Sequence, residues 1–177
     1  MIKIPYGISN FELLVSAGYK YIDRTPYIEQ LEQLDQRYLV FVRPRRFGKS
    51  LFVSLLEYYY GIQYKDKFDQ LFKQFYIGQH PTKSANRYLI LKFDFSQMDT
   101  SSFENTYQSF LRNVKDAAGD FLGKYPQFFD KEDSEELNLY FHPFYRWDLY
   151  DTQRNGSQKI SYSQGVCGYF ISQTPSF

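Results

Sequence analysis

The sequence predicts an α/β fold: a partial three-layer sandwich of parallel strands and helices, preceded by a helical lead-in. A short apolar run, YLVFV at residues 38–42, is typical of a strand that is buried on both faces. A basic loop with one glycine follows it directly, and an apolar helix is predicted from residue 51 to residue 60, before Gly61. A strand, a loop and a helix in immediate succession favour a layered α/β domain.

The lead-in consists of two short predicted helices. Asn10 is a suitable N-cap for a helix over FELLVSA, and Gly18 is a suitable stop after it. Thr25 can cap a second helix over residues 27–34, because Pro26 fits the first helical turn.

The part after the loop adds one strand and one long helix. Residues 88–95, YLILKFDF, predict a second strand. Ser102 can cap a helix that runs to about Leu122, before GKYP at residues 123–126. Its predicted apolar positions are Phe103, Tyr107, Phe110, Leu111 and Val114.

Composition excludes several classes of protein. Lys and Arg total 21 and Asp and Glu total 20, for a net charge of +1, so the chain is not a polybasic nucleic-acid coat. No apolar stretch approaches the roughly 20 residues of a membrane-spanning helix, and the N-terminus does not resemble a signal peptide. Cys167 is the single cysteine, which rules out an internal disulfide. We expect a cytoplasmic protein without membrane contact.

The loop after the first predicted strand carries the chemistry. Its G-K-S matches the end of the phosphate-binding pattern G-x-x-x-x-G-K-[ST], with Arg43 in place of the first glycine. In such loops backbone N–H groups and a helix N-terminus hold phosphate, the lysine reaches the β- and γ-phosphates, and the hydroxyl binds Mg²⁺. ATP with Mg²⁺ is the predicted ligand, and Ser50 the predicted Mg²⁺ contact. The predicted nucleotide-binding residues are Arg43, Pro44, Arg45, Arg46, Phe47, Gly48, Lys49, Ser50 and Leu51.

Two other interpretations of this loop remain open. G-K-S can also be an ordinary turn with solvated arginines. The cations can instead contact nucleic acid, although four charges in one loop make a small footprint for that partner.

Three segments together resemble a family of bacterial AAA-ATPase-like proteins. They are IPYGISNF at residues 4–11, YIDRT at residues 21–25 and RPRRFGKSL at residues 43–51. The resemblance implies a P-loop NTPase domain over residues 1–150, in which arginine at position 43 is normal. It also hints that Asp23 pairs with a cation near the loop. Arg24 departs from the family, which more often has lysine there. Residues 151–177 are polar, and we expect them to form a tail without a packed element.

Hydrolysis needs more than this loop supplies. The resemblance implies a later acidic strand, of the type L-I-D-E-Y-D, that this sequence does not contain. Asp94, at the end of the second predicted strand, is the one candidate Mg²⁺ acid, and a turn role is its alternative. We therefore expect nucleotide binding with poor hydrolysis, in a chain that resembles the front part of a longer protein. The alternatives are an interaction module, which associates with itself or with the missing downstream segment, and a fragment without independent activity.

Overall fold

The structure is a computed structural model that describes residues 2–34, 36 and 38–129, together with the backbone of residues 169–173. Helices dominate these residues. The α-helices are α1 Phe11–Ser16, α2 Pro26–Gln33, α3 Lys49–Tyr60, α4 Phe68–Phe72, α5 Tyr76–Gln79 and α6 Phe103–Lys124. Two 3₁₀ helices, Ile62–Lys67 and Pro126–Phe128, and two strands, β1 Tyr88–Lys92 and β2 Tyr169–Gln173, complete the elements.

The chain divides into two compact units. The first is Met1–Ile90 with Ile171–Phe177, and the second is Leu91–Phe170. The loop that carries the predicted chemistry belongs to the first unit.

Aromatic side chains fill the core of the first unit. The Phe11 and Phe72 rings stack with centroids 5.3 Å apart, and Tyr59 meets Phe72 edge to face at 5.6 Å. Such ring pairs add about 1 kcal/mol each beyond the area that they bury. Part of the high aromatic content of the sequence, 21%, therefore serves to build this core. The core residues are Phe11, Ile28, Phe52, Leu55, Tyr58, Tyr59, Tyr60, Leu71, Phe72, Phe75, Ile77 and Ile90.

The first helix begins as predicted and ends at Ser16, one residue earlier than predicted. The Asn10 side chain accepts a hydrogen bond from the Leu13 N–H at 2.8 Å, which is N-cap geometry. Gly18 follows the helix with a φ of 69°, which glycine adopts at little cost. The Phe11 N–H donates to the buried Ser54 hydroxyl at 3.0 Å, so α1 is fixed directly to α3.

A buried asparagine closes the other end of α3. The Asn86 side-chain amide donates to the Tyr58 carbonyl at 3.2 Å and to the Gly61 carbonyl at 2.8 Å, and its N–H donates to the Tyr59 carbonyl. The last carbonyls of a helix have no partner within the helix, so these bonds supply one. Asn86 has a φ of 51° and lies two residues before β1. It therefore ties the end of α3 to the start of β1.

The long helix of the second unit also begins as predicted. The Ser102 hydroxyl accepts a hydrogen bond from the Asn105 N–H at 3.1 Å. Its apolar face is only partly the predicted one, because Phe103 and Tyr107 are exposed. Its buried residues are Ser109, Leu111, Val114, Ala117 and Ala118.

The predicted strand at residues 38–42 is wrong. These residues form no strand, and all five side chains are exposed, Val42 by 79%. A strand needs a hydrogen-bonded neighbour, and no other described segment supplies one here. The Phe41 ring stacks on Phe52 with centroids 5.2 Å apart.

The second predicted strand forms as β1 but ends at Lys92, three residues earlier than expected. β2 pairs with it in a two-stranded sheet, so a strand lies within the range predicted to be a tail without packed elements. The rest of residues 151–177 lies outside the described residues, as does the end of the predicted 1–150 domain. The larger parallel sheet of a three-layer P-loop sandwich is not present in the described residues, so that architecture stays a prediction. Within the same residues no helix has both the length and the apolar character to cross a membrane.

The hydrogen bonds from Asn86 to the end of α3 give a first prediction. Asn86→Ala should lower the free energy of unfolding by about 2 kcal/mol, because it removes the buried side-chain donor to the Tyr58 carbonyl and leaves the Gly61 carbonyl with the Tyr64 N–H. Asn86→Gly keeps the left-handed backbone accessible and should lose nearly as much. Urea denaturation measures both, with Ser84→Ala as the matched control. An Asn86→Gly protein as stable as the wild type would show that backbone conformation, and not the amide, matters here.

Candidate functional site

The loop before α3 is a tight turn with two left-handed residues. The Phe47 N–H donates to the Pro44 carbonyl at 3.4 Å, which closes the turn. Arg46 has a φ of 67° and Gly48 a φ of 75°. Turns that contain left-handed residues form concave nests of backbone N–H groups, which bind anions.

The start of α3 presents free backbone donors. Gly48 is the N-cap and has no side chain to accept from them, and its carbonyl accepts the first helical bond, from Phe52, at 2.9 Å. The N–H groups of Lys49, Ser50 and Leu51 precede that bond and have no carbonyl one turn earlier in the helix. A helix N-terminus of this kind carries about half a positive charge.

Lys49 folds back over the loop. Its Nζ donates to the Arg43 carbonyl at 2.7 Å and to the Pro44 carbonyl at 3.0 Å. The ammonium therefore lies across the loop's entry. Lysine is a flexible cation whose bonds to neutral carbonyls are weaker than its bonds to an anion, so it can turn toward one.

The three arginines of the loop are exposed. The Arg43 guanidinium lies 5.8 Å from the Phe41 ring centroid, which is cation–π distance. Among the described residues no carboxylate forms a salt bridge with Arg43, Arg45 or Arg46. The loop thus concentrates positive charge that nothing described neutralises.

Sequence reasoning missed the cation that holds the loop. The Arg24 Nη1 donates to the Phe47 carbonyl at 3.0 Å. Asp23, which the family resemblance suggested as a partner for a loop cation, has a different role. Its carboxylate accepts from the Thr25 N–H at 2.8 Å and the Thr25 hydroxyl at 2.7 Å, and from the Tyr76 N–H at 2.9 Å. Thr25 in turn does not cap α2 with its side chain.

The two predicted metal contacts differ in setting. Ser50 lies exposed in the first turn of α3, beside the free donors. Asp94 accepts from the Ser96 N–H at 2.9 Å, and the hydrogen bonds from Ser96 lower the pKa of its carboxyl group. That is a turn geometry, and Asp94 belongs to the second unit. No cluster of three or more metal-ligating side chains occurs in the part of the chain that the structure describes.

Comparison with known proteins gives the family of this chain. The family described as "Predicted AAA-ATPase" matches residues 5–150, which is most of the sequence. The chain belongs to this AAA-ATPase-like family. The match includes the whole loop and the start of α3, and it ends where the predicted tail begins.

One relative is named among curated proteins. An "Uncharacterized protein in vnfD 5'region" of Azotobacter chroococcum mcd 1 is 36% identical to this AAA-ATPase-like chain in an alignment of 76 residues that covers 38% of this chain. The matched part covers 14% of that relative's length. No solved structure matches this chain.

The left-handed Arg46 gives a second prediction. A side chain with a Cβ costs about 1 kcal/mol in this conformation, and a β-branched one costs more. Arg46→Gly should therefore raise the free energy of unfolding by about 1 kcal/mol, and Arg46→Val should lower it. Thermal denaturation measures both. Arg45→Gly removes the same charge from the neighbouring position, where φ is not positive, and should give no gain. Equal effects of the two glycine substitutions would contradict the prediction.

Proposed function

We propose that this chain binds ATP with Mg²⁺ through residues 43–51. The observation that carries the proposal is the arrangement at the start of α3, where an uncapped helix end, a left-handed turn and the Lys49 ammonium adjoin one another. Each of these features attracts an anion, and together they match the donors that a terminal phosphate requires.

The backbone cradle comes from the loop and the first turn of α3. The N–H groups of Gly48, Lys49 and Ser50 would point at a phosphate on the helix axis. On binding, Lys49 would exchange its two carbonyl partners for phosphate oxygens. This exchange replaces bonds from the ammonium to neutral carbonyls by bonds to an anion, in which both partners are charged. The family's description as a predicted AAA-ATPase supports a nucleotide as the molecule that carries the phosphate.

The residues present fit a Mg²⁺ ion that arrives with the nucleotide. Mg²⁺ keeps several waters and takes one or two protein ligands together with phosphate oxygens, so a dedicated cage is not required. The Ser50 hydroxyl would supply one ligand from the first helical turn. When bound, the ion would neutralise charge on the phosphates. A contribution from Asp94 stays a prediction.

An interaction module is the second candidate function. The exposed apolar residues 38–42 favour it, since an apolar segment of this size usually contacts a partner. A second copy of the chain or a downstream segment of a longer protein would be suitable partners. This role is compatible with nucleotide binding, and a titration with ATP separates the two.

The proposal predicts the effect of removing the loop lysine. Lys49→Ala should weaken MgATP binding by about tenfold to a hundredfold, because charge-assisted hydrogen bonds contribute about 1.5–3 kcal/mol. Isothermal titration calorimetry measures the affinity. Lys73→Ala removes an exposed lysine just after α4 and should leave the affinity unchanged. Equal affinities for the wild type and the Lys49→Ala protein would refute the assignment.

The chain alone should hydrolyse ATP poorly. Turnover requires a group that fixes Mg²⁺ and one that orients the attacking water, and the sequence offers only Asp94. Interactions with bound ATP alone give affinity without rate. Steady-state phosphate release should stay far below the ~10 s⁻¹ of an ordinary enzyme. The Lys49→Ala protein is the blank for contaminating ATPases. Ordinary turnover that disappears in this variant would mean that a catalytic acid is present, and Asp94 would be mutated first.

A further inference from the structure

We propose that Arg24 is a positioning residue, which holds the Phe47–Gly48 peptide in the orientation that binds phosphate. The inference rests on the proposed function of the loop. Arg24 lies 23 residues before Phe47, outside the predicted nucleotide-binding segment, and its Nη1 reaches the Phe47 carbonyl at 3.0 Å.

The Arg24 guanidinium also packs against Gly48. A Cβ added to Gly48 would lie 3.1 Å from the Arg24 Nη1, so the side chain lies directly against the glycine. Gly48 is left-handed and is the N-cap of α3. Arg24 therefore contacts the one residue that joins the turn to the helix.

Because the peptide group is planar, the bond from Arg24 to the Phe47 carbonyl also fixes the direction of the Gly48 N–H. In a trans peptide the C=O and the following N–H point in opposite directions. A bond that holds the Phe47 carbonyl toward Arg24 therefore aims the Gly48 N–H away from it. A charged donor on the carbonyl also polarises the peptide, which makes that N–H a stronger donor.

Arg24 can do this because its own backbone is fixed on both sides. Asp23 accepts the Tyr76 N–H at 2.9 Å, and the fully buried Thr25 accepts the Ile77 N–H at 3.1 Å through its hydroxyl. Both bonds anchor the chain to the start of α5, whose Ile77 is in the core. The loop is thus tied through one side chain to the rigid part of its unit.

The test compares loss of the Arg24 side-chain donors with loss of a positive charge at another exposed position. Arg24→Met keeps an unbranched stem and removes every donor, whereas Arg24→Lys keeps one donor and the charge. Lys20→Met makes the same change of charge at an exposed lysine nearby. Calorimetry with MgATP measures affinity, and trypsin cleavage after Arg45 and Arg46, identified by mass spectrometry, measures how firmly the nucleotide-free loop is held.

The expected result is about tenfold weaker binding and faster loop cleavage for Arg24→Met, with both restored toward wild type by Arg24→Lys and unchanged by Lys20→Met. Wild-type affinity in the Arg24→Met protein would overturn the proposal. So would weaker binding without faster cleavage, because that pattern means attraction by charge alone. If wild-type protein does not bind MgATP, the proposed function fails, and unchanged cleavage in Arg24→Met would then overturn the loop anchor as well.

Discussion

Helix α3 organises the first of the two units, because each of its ends needs hydrogen-bond partners that lie outside the helix. Its middle and last turns fill the aromatic core with Leu55 and Tyr59. At its C-terminus Asn86 supplies the missing donors to the last carbonyls. At its N-terminus Gly48 has no side chain to cap the first N–H groups, and none of the described residues caps them with a side chain. A helix N-terminus without such a cap leaves its first N–H groups able to donate to an anion.

The loop itself is held at three places. The stack of Phe41 on Phe52 ties its entry to α3, and its exit is α3 itself. The bond from Arg24 to the Phe47 carbonyl ties its middle to a segment whose Asp23 and Thr25 accept hydrogen bonds from the start of α5. The Lys49 bonds to the Arg43 and Pro44 carbonyls close the remaining side. These contacts explain how a loop without the usual first glycine keeps a defined shape although its arginines are exposed. Preorganisation of this kind lowers the entropy cost of binding.

The sequence predicted correctly those features whose interacting residues are close together in the chain. The caps at Asn10 and Ser102 are of this kind, because the interacting groups lie three residues apart. The strand at residues 38–42 could not be tested locally, since a strand exists only when another segment pairs with it. Arg24 was overlooked for the same reason. Its partner, the Phe47 carbonyl, is 23 residues away, and no sequence pattern links an arginine to a backbone carbonyl at that distance. The assignment of residues 43–51 as nucleotide-binding residues stays a prediction.

If the amides at the start of α3 bind phosphate, their chemical shifts must change when the ligand is added. Nitrogen-15 spectra of the protein would be recorded with and without a saturating, non-hydrolysable MgATP analogue. We expect the largest shifts on Gly48, Lys49, Ser50 and Leu51, with the amides moving downfield as they donate to a charged acceptor. Amides of α4 should move little. Saturation that leaves these four amides unchanged, or that shifts another surface more, would contradict the account.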